Sequence, residues 1–277
     1  MAHITVNSTR LWVEDTGPAA DARPVAVFSH SLFFDSTMFA HQVAALAATH
    51  RVINYDHRGQ GRSDPAPPDH RGGSQQDMDT LAADAAALIE TLQLPAVHFA
   101  GNSLGGFIAL RLAARRPDLV ASVAILGSSG EAEHRVAEFA PLVEAMRTQG
   151  TAAHIDTLMH IMFGDTYLAD PTRAAERNHW RAKLAALSNR IADSANAVVF
   201  RASVLSELIG TRVPVLAIAG AEDHAYGPPE AEAVARAAAG RFVVVAGAGH
   251  SVALEAPTEV NALLTDFWSA ATRRAAA

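Results

Sequence analysis

Short, largely apolar runs recur along this chain, each followed by a segment of helical period. They lie at residues 24–29 (Pro-Val-Ala-Val-Phe-Ser), 96–100, 121–126 and 213–219, with a further strand pattern at 51–55. A strand that is apolar on both faces must be covered on both, which a parallel sheet between two layers of helices provides. The helical segments are expected at 42–48, 79–92, 104–116 (stopped by Pro117), 228–239 and 257–270. The fold class is therefore α/β, a mostly parallel central sheet with helices on both faces. A hairpin, 4–7 and 11–14, is expected at the start of the chain, and from about 130 to 210 the strand signal gives way to amphipathic helical segments. We expect residues 1–130 and 211–277 to form one core and 131–210 a helical cap inserted into it.

Composition removes several function classes. With 22 Lys+Arg against 29 Asp+Glu, a net charge of −7 and no basic block, the chain lacks the cationic footprint that phosphate backbones or anionic membranes require. It has no Cys, which removes disulfides, Cys-ligated metals and thiol nucleophiles. The first residues lack the basic and apolar regions of a signal peptide, and no run nears the ~18 apolar residues of a membrane span. The expectation is a cytoplasmic protein acting on a small molecule, with neither nucleic acid nor membrane as partner. No cofactor is expected. Gly59-Gln60-Gly61 opens a polar loop and not a helix, unlike a dinucleotide fingerprint. No metal is expected either, since His154 and His160 lack the i,i+3 or i,i+4 spacing that shares a helix face.

Chemistry concentrates where strands end. Gly101-Asn102-Ser103-Leu104-Gly105 lies between the strand 96–100 and the helix beginning at Leu104, the strand-turn-helix setting in which a serine is thrust out of a sheet by a tight turn. A Ser hydroxyl needs a base held by a carboxylate. Of 13 His, His250 in Ala248-Gly249-His250-Ser251 follows the last strand at the same sheet edge, where open α/β sheets place their ligands. His98 is mid-strand and reads as a core residue. Asp223, after the strand 213–219, is the expected acid. Glu222 is its neighbour, and Glu131, past the strand 121–126, is the alternative. The oxyanion donors are expected to be the amides of Leu104 and of Leu32, the latter in the loop after the strand 24–29, with His30 part of the scaffold.

These motifs, in this order, resemble the α/β-hydrolase superfamily over nearly the whole chain. Asp56-His57-Arg58-Gly59-Gln60-Gly61-Arg62-Ser63 resembles the D-x-R-G-x-G-x-S segment these enzymes carry, and the order Ser, Asp, His is that of the family. His30-Ser31-Leu32, Met38-Phe39, Gln42 and the segment 163–171 are similar to the 3-oxoadipate enol-lactonase-like branch. Phe33 and Phe34 stand where that branch tends to have Gly. The resemblance implies a cap-bearing serine hydrolase, acting on a carboxylic ester or lactone through an acyl-enzyme on Ser103. Phe33, Met159, Met162, Phe163 and Trp180 are expected to line its substrate pocket. Arg135, Arg173, Arg177 and Arg181 could meet a substrate carboxylate, although solvated helix faces are their commoner place. Two alternatives stay open, a carbon-carbon bond hydrolase of ring-cleavage products and a ligand sensor on a hydrolase scaffold.

Overall fold

A two-residue turn opens the computed structural model, which describes residues 1–18, 22–67 and 76–275. Asn7 and Ser8 both take positive φ, 42° and 63°, the arrangement whose twist matches an antiparallel hairpin. It joins β1 (Ala2–Val6) to β2 (Thr9–Asp15) with Val6 opposite Thr9. The elements that follow are β3 (Val25–Ser29), α1 (Ala40–Leu46), β4 (Arg51–Tyr55), α2 (Met78–Thr91), β5 (Val97–Asn102), α3 (Leu104–Arg115) and β6 (Val120–Leu126). Next come α4 (Val136–Gln149), α5 (Ile155–Met162), α6 (Asp165–Ala169), α7 (Ala174–Ala185) and α8 (Ile191–Val199). The chain ends with β7 (Val215–Gly220), α9 (Pro228–Ala237), β8 (Arg241–Val245), α10 (Val252–Glu255) and α11 (Pro257–Ala275).

The eight strands form one sheet in the order β1-β2-β4-β3-β5-β6-β7-β8. β2 meets β4 antiparallel, and every pair from β4 to β8 is parallel. As the apolar runs predict, β3, β4, β5 and β7 are buried throughout. Helices cover both faces. On one, α1 and α11 pack together, and Trp268 of α11 stacks on His98 of β5 and meets Phe28 of β3. On the other, α2, α3 and α9 pack against the sheet and its neighbouring turns.

The chain winds from β3 outward to β4, then returns past β3 to β5 and continues the other way. The carboxyl ends of β3 and β5 therefore flank a topological switch point, where consecutive loops diverge and leave a crevice. Between β6 and β7 the described chain holds helices α4 to α8 and no strand, as the sequence pattern predicts for that stretch.

The motif at 56–63 explains the rigidity of that edge. Asp56 accepts hydrogen bonds from Ser36 N (2.7 Å) and Arg62 N (2.8 Å), tying the loop after β3 to the loop after β4. Arg58 is buried in a bidentate ion pair with Asp84 of α2. Part of the polar, Gly-, Pro- and Asp-rich stretch at 58–73 and the last two of the three alanines at 275–277 lie outside the described residues. α11 runs five residues past the expected 270, and its Thr272 hydroxyl donates to the Trp268 carbonyl, 2.9 Å, within that extension. Among the described residues, no helix is long and apolar enough to cross a membrane.

Candidate active site

Ser103 sits between β5 and α3 with φ 50° and ψ −110°, a left-handed conformation that costs a non-glycine residue of order 1–3 kcal/mol. Close packing enforces it. A Cβ on Gly105 would lie 1.9 Å from the Ser29 carbonyl oxygen, and one on Gly101 would lie 2.1 Å from the Gly105 backbone. Only glycines let the start of α3 press this closely on the ends of β3 and β5. Ser103 N donates to Leu126 O (2.8 Å), and Ser128 Oγ donates to Ser103 O (2.9 Å).

His250 is held from two directions. Its Nδ1 lies 3.0 Å from both carboxylate oxygens of Asp223, so Nδ1–H donates and Nε2 is left as the basic nitrogen. Asp223 is fixed in turn, because its Oδ1 accepts from Ala225 N (2.7 Å) and Tyr226 N (2.9 Å). The Asn102 side chain donates to the His250 carbonyl at 3.0 Å. This strut between the serine turn and the histidine loop is a contact that the chain's spacing gave no sign of.

Of the two other candidate acids, Glu222 is engaged elsewhere and Glu131 is exposed. Glu222 accepts from Thr166 N (2.7 Å) and Thr166 Oγ1 (2.6 Å) of α6. Glu131 has an exposed side chain, and its carbonyl accepts from Arg201 Nε at 2.9 Å.

The loop after β3 turns at residues 31–34, where Phe34 N donates to Ser31 O (3.3 Å). Phe33 takes φ 71° at the third position of this turn, a conformation that a type II turn normally gives to glycine. The turn leaves the Leu32 amide unengaged beside the cavity that Ser103 lines. Leu104 is the first residue of α3, and its N–H has no intrahelical acceptor. Behind the loop, buried His30 donates from Nδ1 to Ser31 O (2.8 Å) and accepts at Nε2 from His57 N (3.0 Å). Burial lowers the pKa of both His30 and His57, so this stacked pair is a neutral scaffold.

Ser103 and His250 face a single cavity of about 60 Å³. Its walls are Leu32 and Phe33; Phe139, Leu142, Val143 and Met146 of α4; Leu158, Ile161 and Met162 of α5; Ala195, Val198 and Val199 of α8; and Ala225 and Tyr226. Of the pocket residues expected from sequence, Phe33 and Met162 line it, whereas Met159, Phe163 and Trp180 do not. Phe163 stacks on Tyr167 (4.7 Å), and Trp180 packs on Phe34 (5.0 Å); Met159 is buried beside them in the hydrophobic core.

Among the described residues, no Lys, Arg, Asp or Glu lines the cavity. Arg135 donates to the carbonyls of His224 and Ala225, Arg173 to those of Leu254 and Glu255, and Arg177 to those of Tyr167 and Asp170. Arg181 pairs with Asp156. The Tyr226 hydroxyl is taken up by Glu133 (2.8 Å) and Arg201 (3.0 Å), a buried ion pair behind the cavity wall.

Residues 24–257 match the family described as the alpha/beta hydrolase fold. A 3-oxoadipate enol-lactonase of Acinetobacter baylyi is 30% identical over 73% of this chain and 72% of its own length. A protein of Rhizobium rhizogenes with the provisional name carbamate hydrolase RutD is 28% identical over 57% of this chain, and the chain covers 60% of that relative. The crystal structure of an enol-lactonase from Burkholderia xenovorans superposes with a TM-score of 0.86 at 28% identity, covering 97% of this chain and 100% of that one. With this sheet order, this serine turn and a match that spans most of its length, the chain belongs to the alpha/beta hydrolase family.

Proposed function

We propose that this hydrolase cleaves a carboxylic ester or lactone through an acyl-enzyme on Ser103, and that the group held in its cavity is small, apolar and uncharged. The observation that carries the reading is a serine in a strained turn, facing the same cavity as a histidine whose far nitrogen is fixed by a buried carboxylate. Ser103 Oγ attacks the carbonyl carbon while His250 Nε2 takes its proton. The oxyanion receives the Leu32 and Leu104 N–H groups, which are fixed before substrate arrives and need no reorganisation. As the carbon-oxygen bond breaks, the imidazolium returns the proton to the leaving alkoxide. Water, deprotonated by the same nitrogen, then releases the acid and regenerates Ser103. Asp223 holds the ring's orientation and stabilises its positive charge in both half-reactions. The helices from α4 to α8 act as a cap, with Phe33 and Met162 against the substrate.

The uncharged preference follows from the lining. Among the described residues no Lys or Arg lines the cavity to pair with a carboxylate, and burying an unpaired charge costs several kcal/mol, or at least about 100-fold in affinity. The enol lactone of 3-oxoadipate, in the name of one relative, keeps one free carboxylate, so the reaction type carries over better than the substrate. The test is a panel of p-nitrophenyl esters from acetate to decanoate, neutral lactones, a carbamate ester and a carboxylate-bearing enol lactone. Highest kcat/KM on short neutral esters or lactones is expected. A preference for the carboxylate-bearing compound would refute the substrate class while leaving the chemistry standing.

A further inference from the structure

On the outside of the cavity wall, three side chains from separate segments converge. His160 in the last turn of α5, Asp165 at the start of α6, and His224 directly after Asp223 each bring one ligand atom within 4.8 Å of the others. The two imidazole rings lie 4.0 Å apart, and His224 Nε2 is 3.2 Å from Asp165 Oδ1. His160 and Asp165 are exposed and His224 is half-buried, so the rings can turn about their side-chain bonds at little cost. Two imidazoles and one carboxylate form a donor set that borderline transition metals accept, with a fourth position open to water.

We propose that His160, Asp165 and His224 bind a divalent transition-metal ion such as Zn²⁺, and that the bound ion clasps two walls of the active-site cavity together. The placement gives the clasp its effect. His160 immediately precedes the cavity residues Ile161 and Met162, and His224 immediately precedes Ala225 and Tyr226. An ion on all three ligands joins the α5–α6 wall to the loop carrying Asp223, outside the reacting groups. Arg135 contributes a nearby positive charge through its bonds to the His224 and Ala225 carbonyls, so affinity must come from the ligands themselves. The ion takes no part in the hydrolytic steps. By restraining the movement of these two walls relative to each other, the bound ion slows turnover.

The test titrates ZnCl₂ into the full chain by calorimetry, in wild type and in the His160→Ala, His224→Ala and Asp165→Asn variants, with thermal melts confirming that each is folded. One Zn²⁺ per chain is expected. Loss of either histidine should weaken binding by at least about tenfold, since losing even an outer partner of a ligand costs that much. Zn²⁺ should raise the Tm of wild type and not that of His160→Ala, because a ligand of the folded state alone stabilises it. Hydrolysis of p-nitrophenyl butyrate should fall over the same zinc range in wild type, recover on adding EDTA, and be insensitive in His160→Ala. Absence of binding in wild type, or binding undiminished from wild type in both histidine variants, would overturn the site. Inhibition that persists in His160→Ala, or binding with no effect on rate, would overturn the clasp. The rate arm rests on the ester-hydrolase reading. Should wild type hydrolyse no ester, the calorimetry and melts still decide the metal site.

Discussion

At the residue scale, Asp223 carries more than one hydrogen bond to a ring. It accepts from His250 and from two backbone amides, so removing its charge disturbs both the imidazole tautomer and the loop that forms the cavity wall. Asp223→Asn should lower kcat by up to about 10⁴-fold, while Glu131→Gln, an exposed change, should stay within about twofold of wild type on the same rate assay. The reverse order would move the acid to Glu131. Phe33 offers a second test. Because its φ of 71° is costly for any residue with a Cβ, by roughly 1–2 kcal/mol, Phe33→Gly should be more stable than Phe33→Ala by about 1 kcal/mol in urea denaturation. Elsewhere glycine is the less stable of the two. Ser103, Asp223 and His250 could be singled out in the sequence because each lies within five residues after the end of a strand in the parallel part of the sheet. The backbone angle of Phe33 could not, because a Phe-Phe pair reads as core and gives no sign of a turn.

At the scale of single elements, α10 does more than its four residues suggest. Its Glu255 accepts hydrogen bonds from Gly249 N (2.9 Å) and Ser251 N (3.0 Å), on either side of His250, and from Gly164 N (2.9 Å) at the head of α6. Burial pushes the Glu255 carboxyl up to about 7, against the downward pull of those three amides. A carboxyl whose pKa is higher in the folded chain holds its proton there while the unfolded chain has already released it. Stability from this group is therefore complete below the unfolded value of about 4.5 and is lost as pH rises through about 7, by roughly 3 kcal/mol in all. In Glu255→Gln that part of the pH dependence should vanish, which chemical denaturation between pH 4.5 and 8 would measure. An unchanged slope would show that Glu255 does not hold its proton in that range. The short α10 was missed in the sequence because one helical turn gives no periodicity to read. The helical character of the stretch between β6 and β7 was legible in its period, but period alone cannot say which apolar face meets the cavity. Met162 points there and Phe163, one residue on, packs on Tyr167.

At the scale of the whole molecule, the apolar strand runs and the helices between them imply the sheet, but not its order. Strand order depends on which way each crossover turns, and that is decided by packing between elements far apart in sequence. The reversal between β3 and β5 makes the crevice in which Leu32, Ser103 and His250 meet. The cluster His160, Asp165 and His224 is equally invisible to spacing, because its members are united only when α5 and α6 pack against the loop after β7. The account's central claim is that this arrangement makes Ser103 the nucleophile. The most direct measurement is peptide mapping by mass spectrometry after treating the folded protein with a fluorophosphonate, in wild type and in Ser103→Ala. The account predicts one adduct, on Ser103, absent from the variant, whose kcat on p-nitrophenyl esters should also fall by at least about 10³-fold. An adduct on another residue, or an unlabelled Ser103 in a protein that still turns over esters, would contradict it.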